Sequence, residues 1–152
     1  MMWKNLNGKC DWGHAKDYVR GMWLMLQQEE PEDFVLATGE TTTVRAFCEM
    51  AFEHLAINLR WEGKDINKKG ILNGFNAKQF EQVSNLSASH FQLSRDEVLI
   101  EVDPQYFRPT EVEILLGDRS KAEEKLGWKP EYVIEELVED MIKKDLVKFK
   151  SS

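Results

Sequence analysis

Apolar residues recur at helical spacing in several stretches of the chain, and shorter runs between them alternate or cluster as strands do. Over 18–28, Val19, Met22, Trp23, Met25 and Leu26 follow Asp17, a residue type that caps helix N-termini, and the spacing predicts a helix. Its stripe, with Tyr18, reads as core rather than as a cofactor or partner groove. Pro31, set among Glu29, Glu30, Glu32 and Asp33, ends the helix in a solvated turn, and 34–37 then reads as a short buried strand closed by Thr38 and Gly39. A second helix is expected from Thr42 or Thr43 to about Leu55, with Val44, Phe47, Cys48, Ala51, Phe52 and Leu55 on one face. A half-buried strand over 57–61 follows.

From 62 to 97 the pattern dissolves into Gly, Asn, Ser, Gln and Lys, anchored by Phe75, Phe80 and Phe91, which predicts a long loop with at most a short helix over 77–83 capped by Asn76. Regularity resumes with a strand over 98–102, broken by Asp103-Pro104. The Pro at 109 suits a helical turn opened by Arg108-Pro109-Thr110-Glu111. Asp118 is placed to cap a helix over 119–126 that Gly127 and Pro130 stop. The final helix, 134–149, carries Ile134, Leu137, Val138, Met141, Ile142 and Leu146 on one stripe. Helices interspersed with a few short strands, and no internal repeat, predict a small α/β unit.

Composition narrows the function. The 152 residues are 42% apolar, enough for one folded domain. The net charge of −7 argues against nucleic-acid or anionic-membrane partners, so an anionic ligand must rely on a few placed cations. No apolar run is long enough to span a bilayer and 1–8 lacks the core of a secretory signal, so the expected location is cytoplasmic. Cys10 and Cys48 fit a reducing compartment in which both stay thiols.

No Gly-x-Gly-x-x-Gly and no Gly-x-x-x-x-Gly-Lys-Ser/Thr stretch occurs, so the usual nucleotide phosphate loops are absent; Gly70-Ile71-Leu72-Asn73-Gly74 lacks the lysine. Cys10, Asp11 and His14, or Cys48 and His54, offer one Cys and one His each, too few for the paired sets of structural zinc, so no metal site is expected. No nucleophile elbow frames any serine. His54 suits the C-terminal end of its helix, His90 sits in the 62–97 segment, and His14 is set apart by its neighbours. The segment Tyr106-Phe107-Arg108-Pro109-Thr110-Glu111 stands out. Arginine matches phosphate bidentately and a carboxylate three residues on can accept from ribose hydroxyls, yet a surface ion pair accounts for the same residues equally well.

Several stretches together resemble the GDP-mannose 4,6-dehydratases, extended members of the short-chain dehydrogenase/reductase superfamily. These are Asp11-Trp12-Gly13-His14-Ala15-Lys16-Asp17-Tyr18-Val19 with Met22-Trp23-Leu24-Met25-Leu26-Gln27, and Pro31-Glu32-Asp33-Phe34-Val35-Leu36-Ala37-Thr38-Gly39-Glu40. Further on come Val102-Asp103-Pro104-Gln105-Tyr106-Phe107-Arg108-Pro109-Thr110-Glu111-Val112, Leu116-Gly117-Asp118 and Lys125-Leu126-Gly127-Trp128-Lys129-Pro130. The resemblance leaves out about 67–97, which reads as a variable loop insertion.

The resemblance implies that 1–152 is the C-terminal, substrate-binding part of such an enzyme, an α/β piece with the Rossmann sheet largely absent. It implies GDP-mannose as substrate, Arg108 on its diphosphate and Glu111 beside its ribose, with the NADP cofactor and all catalytic groups belonging to an N-terminal Rossmann part. No catalytic or cofactor-binding residue is expected here. The family reaction oxidises C4 of the mannose by hydride transfer to NADP+, eliminates water across C5 and C6, and returns the hydride to C6, giving GDP-4-keto-6-deoxymannose on the way to GDP-fucose. The expectation is therefore a chain inactive alone, partnered by a separate Rossmann half and built into a homo-oligomer; the alternatives are a non-catalytic GDP-sugar-binding or interaction module and a non-functional remnant. One departure matters: the position before Asp11-Trp12, an arginine in the family, is Cys10, which supplies no charge to a phosphate.

Overall fold

The computed structural model describes residues 2–3, 5–105 and 114–151. In chain order the elements are β1 (Met2–Trp3), β2 (Lys9–Cys10), α1 (Ala15–Leu26), β3 (Thr42–Thr43), α2 (Val44–His54), β4 (Ile57–Glu62), β5 (Lys69–Phe75), α3 (Ala77–Ser84), β6 (Val98–Val102), β7 (Ile114–Leu115), α4 (Ser120–Leu126) and α5 (Ile134–Ser151). Two sheets form, one of four strands in the order β1-β6-β5-β4 and one of three in the order β3-β2-β7. The β4-β5 and β5-β6 pairs are antiparallel, whereas β1 joins β6 and β7 joins β2 in parallel. The mixed α/β class read from the sequence is the observed one.

Two cores result. Under the four-stranded sheet, Val44 and Cys48 of α2 meet Ile100 and Val102 of β6 and Leu6, with Trp12, Phe52, Leu59 and Trp61 packed around them. The second core centres on Trp128, fully buried beside Ala122 and Leu126, against which α1 lays Tyr18, Leu24 and Met25 and the 34–37 segment lays Phe34 and Leu36. Thr43 caps α2 through its hydroxyl, Asn76 caps α3, and Gly127 takes the left-handed conformation that closes α4, as their residue types predict.

The structure corrects several expectations. Helix α1 begins at Ala15 because the His14 Nδ1 accepts from the Lys16 amide at 3.2 Å; Asp17 lies within its first turn and is no cap. The 34–37 segment is not a strand: it pairs with none of the described strands, and the Asp11 carboxylate takes the amides that follow it, Thr38 and Gly39. The 62–97 segment is not a featureless loop, since it holds β5, α3 and two 3₁₀ turns. Its Gly, Asn and Lys positions concealed a strand that is stabilised by pairing with β4 and β6 on both edges, a non-local contribution that composition does not report. Helix α4 starts at Ser120, and Asp118 Oδ1 accepts both the amide and the hydroxyl of that serine from two residues upstream.

The stripe of α1 is divided. Tyr18 and Met25 pack inward, but Val19, Met22, Trp23 and Leu26 are 63%, 57%, 58% and 81% exposed. Because α1 is apolar around more than one face, its periodicity does not say which face the core takes. The inward face is chosen by Gly21, where an added Cβ would stand 2.5 Å from Leu36 Cδ1 and 3.0 Å from Trp128 Nε1.

Candidate functional site

Strand β2 occupies the middle of the three-stranded sheet, with Lys9 and Cys10 opposite Thr43 and Thr42 on one side and Ile114 and Leu115 on the other. Directly after it, Asp11 and Trp12 turn into the loop that leads to α1. Asp11 accepts the Thr38 amide at 2.8 Å, the Thr38 hydroxyl at 2.6 Å and the Gly39 amide at 2.9 Å. Trp12 donates its indole N–H to the Thr42 carbonyl at 3.0 Å and stacks on Phe47 with ring centroids 4.5 Å apart. Two consecutive side chains thus fix both ends of the 38–42 loop against β2.

These contacts leave a shallow cleft of about 360 Å³ lined by Cys10, Asp11, Tyr18, Leu36, Ala37 and Gly117 among others. It gathers three of the sequence stretches quoted above, which are far apart in the chain. Burial raises the Tyr18 phenol above its ordinary value, and the nearby Asp11 and Asp17 carboxylates reinforce the shift. With three donors on Asp11 and the Tyr18 phenol beside it, the described part of the cleft is held in shape by its own hydrogen bonds.

The base of the cleft is braced by Asp17. Its carboxylate, 2% exposed, accepts the Glu131 and Tyr132 amides at 3.1 and 3.2 Å, while its backbone carbonyl accepts the Trp128 indole N–H at 2.8 Å. His14 stacks on Tyr132, caps α1 and faces Asp140 of α5 at 3.4 Å. The single sequence feature that set His14 apart, its neighbours, is thereby explained as a joint between α1, α5 and the 130–133 loop.

Arg108 and Glu111 lie outside the described residues, as does the helical turn expected around them. Cys10 is half-buried at the cleft, and Cys48 is in the core, where burial and then the charge of Glu49 push its thiol from 9.0 up to about 11. Cys48 is therefore an inert packing thiol. His54 ends α2 and His90 ends the 3₁₀ turn Ala88–His90. Sequence reasoning did not single out Asp11 and Thr38 as partners; only their presence in two of the stretches behind the resemblance pointed to them.

A family model described as GDP-mannose 4,6 dehydratase matches residues 1–141. The chain belongs to the GDP-mannose 4,6-dehydratase family. Over 142 residues it is 44% identical to the GDP-mannose 4,6-dehydratase of Vibrio cholerae, covering 93% of this chain and 36% of the relative. It is 46% identical to the Homo sapiens protein over the same length, covering 93% and 33%, and 44% identical to that of Drosophila melanogaster, covering 93% and 31%. The chain thus spans about a third of the length of the curated relatives it matches. Among solved structures, RMD from Pseudomonas aeruginosa complexed with NADPH superposes with a TM-score of 0.61 over 98% of this chain and 36% of that one, at 15% identity, which shows a shared fold.

A dinucleotide cofactor does not fit the described residues of this family member. Its left-handed glycines are Gly39, Gly63 and Gly127, none at a strand-to-helix turn, and the described strand-to-helix junctions, β3 to α2 and β5 to α3, are closed by the Thr43 and Asn76 side chains. No step of hydride chemistry is assigned to this chain. No described helix is long and apolar enough to cross a membrane.

Proposed function

We propose that this chain is the C-terminal, GDP-sugar-binding part of a GDP-mannose 4,6-dehydratase, which takes GDP-mannose toward GDP-4-keto-6-deoxymannose and GDP-fucose in the cytoplasm. It supplies substrate contacts and no catalytic group, so it is inactive alone. NADP and the acid-base residues come from an N-terminal Rossmann part that packs against this one as its partner. Arg108 holds the diphosphate and Glu111 the ribose, on the segment that enters β7.

The observation that carries this reading is the pairing of β7 with β2. Ile114–Leu115 runs alongside Lys9–Cys10 at the Asp11 cleft, and Arg108 and Glu111 precede Ile114 by six and three residues in the sequence. The outward stripe of α1 supports the partner: an exposed face of Val19, Met22, Trp23 and Leu26 is one that a larger assembly covers.

Calorimetry of GDP and GDP-mannose with the chain tests the proposal. Binding is expected in the micromolar to millimolar range, and the absence of heat at millimolar ligand overturns it. Arg108→Ala is expected to weaken binding by about one to two decades, the cost of one charge-assisted contact, and Cys10→Arg to tighten it by a similar amount. Unchanged affinity in Arg108→Ala removes that residue from the site.

A further inference from the structure

A larger cavity, about 540 Å³, lies between α2, α5 and the 76–97 segment. Its floor is settled core: Ile57, Phe80 and Val138 are 8%, 4% and 3% exposed. Its mouth is open along the C-terminal half of α5, where Met141 and Phe149 line the cavity yet remain 47% and 60% exposed. One wall is a chain of rings. Phe75 meets Phe80 edge-on at 5.4 Å, Phe80 meets Phe91 at 5.2 Å, and Phe91 reaches Phe149 at 6.1 Å, so the 76–97 segment is tied to the end of α5 by aromatic contacts.

Nothing in these walls suits water. Every lining residue but one is apolar, and an ordered water needs two or more polar partners. Left to solvent, the open groove keeps apolar side chains in water, a cost of about 25 cal/mol per Å² of apolar surface that an apolar occupant would relieve. The volume falls within the range of roughly 300–1,000 Å³ of small-molecule sites, which are mostly apolar with a few placed polar groups. The exception in the lining is Asp145, exposed at the mouth on α5. The neighbouring cations Lys143 and Lys144 of the same helix are engaged by Glu139 and Asp140. A carboxylate is thus the charge the wall itself presents to the polar end of an occupant, which favours an amine over an acid.

We propose that this cavity is a binding site for a small apolar amine, its hydrocarbon body among the phenylalanines and its nitrogen at Asp145. The site shares no residue with the Asp11 cleft and stands or falls independently of the sugar-nucleotide reading.

The test uses the full 152-residue chain and the fluorescent probe 1-aminoanthracene, displaced by dodecylamine or by dodecanoate below their micellar concentrations. Saturable probe binding is expected, with dodecylamine displacing it at concentrations about tenfold or more below dodecanoate, a gap that Asp145→Asn closes. Ala51→Phe, which fills the α2 wall, is expected to lower probe affinity by about tenfold or more while the cooperative melt persists; Ala51→Leu, a smaller filling, serves if the larger ring prevents folding. The proposal is overturned if the wild-type chain shows no displaceable binding, if neither filled variant weakens it, or if dodecanoate competes as well as dodecylamine.

Discussion

Replacing Asp17 with alanine removes the brace between α1 and the 128–133 loop. The carboxylate accepts two backbone amides, Glu131 at 3.1 Å and Tyr132 at 3.2 Å, from a position only 2% exposed. Hydrogen bonds to a charged group contribute about 1.5–3 kcal/mol each, and the amides left behind, part-buried, recover only part of that from water. Because both bonds share one carboxylate they are not additive, so the expected loss is about 3–5 kcal/mol. Arg20 adds little to Asp17 itself, which it reaches at 3.5 Å while one-third exposed; with its donation to the Lys129 carbonyl and its ion pair with Glu131 at 3.1 Å, Arg20→Ala is expected to cost about 1–2 kcal/mol. Against a total stability of about 5–15 kcal/mol, the Asp17→Ala loss is large. Urea titration followed by circular dichroism reads it as a lower midpoint at unchanged slope. Asp17→Asn, which keeps one acceptor oxygen, falls between the two. A loss below about 1 kcal/mol for Asp17→Ala refutes the reasoning, because it means the loop amides are satisfied without the carboxylate.

Further outcomes follow from the same geometry. Gly21→Ala gains about 1 kcal/mol of helix propensity but drives a methyl into Leu36 and Trp128, so thermal melts should show net destabilisation of about 1–3 kcal/mol; a stabilised protein contradicts the close approach. Cys48 is held neutral by burial, its folded value raised to about 11 from 9.0, so its contribution is complete below pH 9 and is lost as pH rises from 9 through 11. The stability difference between the wild-type chain and Cys48→Ala should therefore shrink by about 2 kcal/mol between pH 8 and 10.5, and a constant difference refutes the assignment. In native protein a maleimide reagent should modify Cys10 and reach Cys48 only on unfolding, measured by mass spectrometry. Trp23→Ser with Leu26→Glu should reduce self-association in sedimentation while changing stability by no more than about 1 kcal/mol, since both side chains lie mainly in solvent.

Caps and stops were legible because they are local. Thr43, Asn76 and Gly127 act within a few residues of themselves, and each marks its boundary where its chemistry predicts. The strong apolar periods of α2 and α5 likewise gave helices close to the observed ones. The family was legible too, because stretches such as 11–19 and 102–112 keep their order and spacing across the chain. Strand β5 was hidden for the converse reason. Its residues Lys69–Phe75 carry two glycines and an asparagine, poor strand formers, and what makes them a strand is the pair of neighbours on either edge. The 34–37 segment erred in the opposite direction: it has strand composition but pairs with no described strand.

The sequence by itself determined the α/β class, most helix ends and the acidic balance that leaves anion binding to a few cations. Only the tertiary structure decided which face of α1 turns inward, that Asp11 is consumed by Thr38 and Gly39, that Asp17 anchors a loop more than a hundred residues away, and that a phenylalanine-walled cavity opens beside α5. The physical reason is range. Propensity and capping act over one helical turn, whereas burial, buried hydrogen-bond partners and voids depend on which distant surfaces meet.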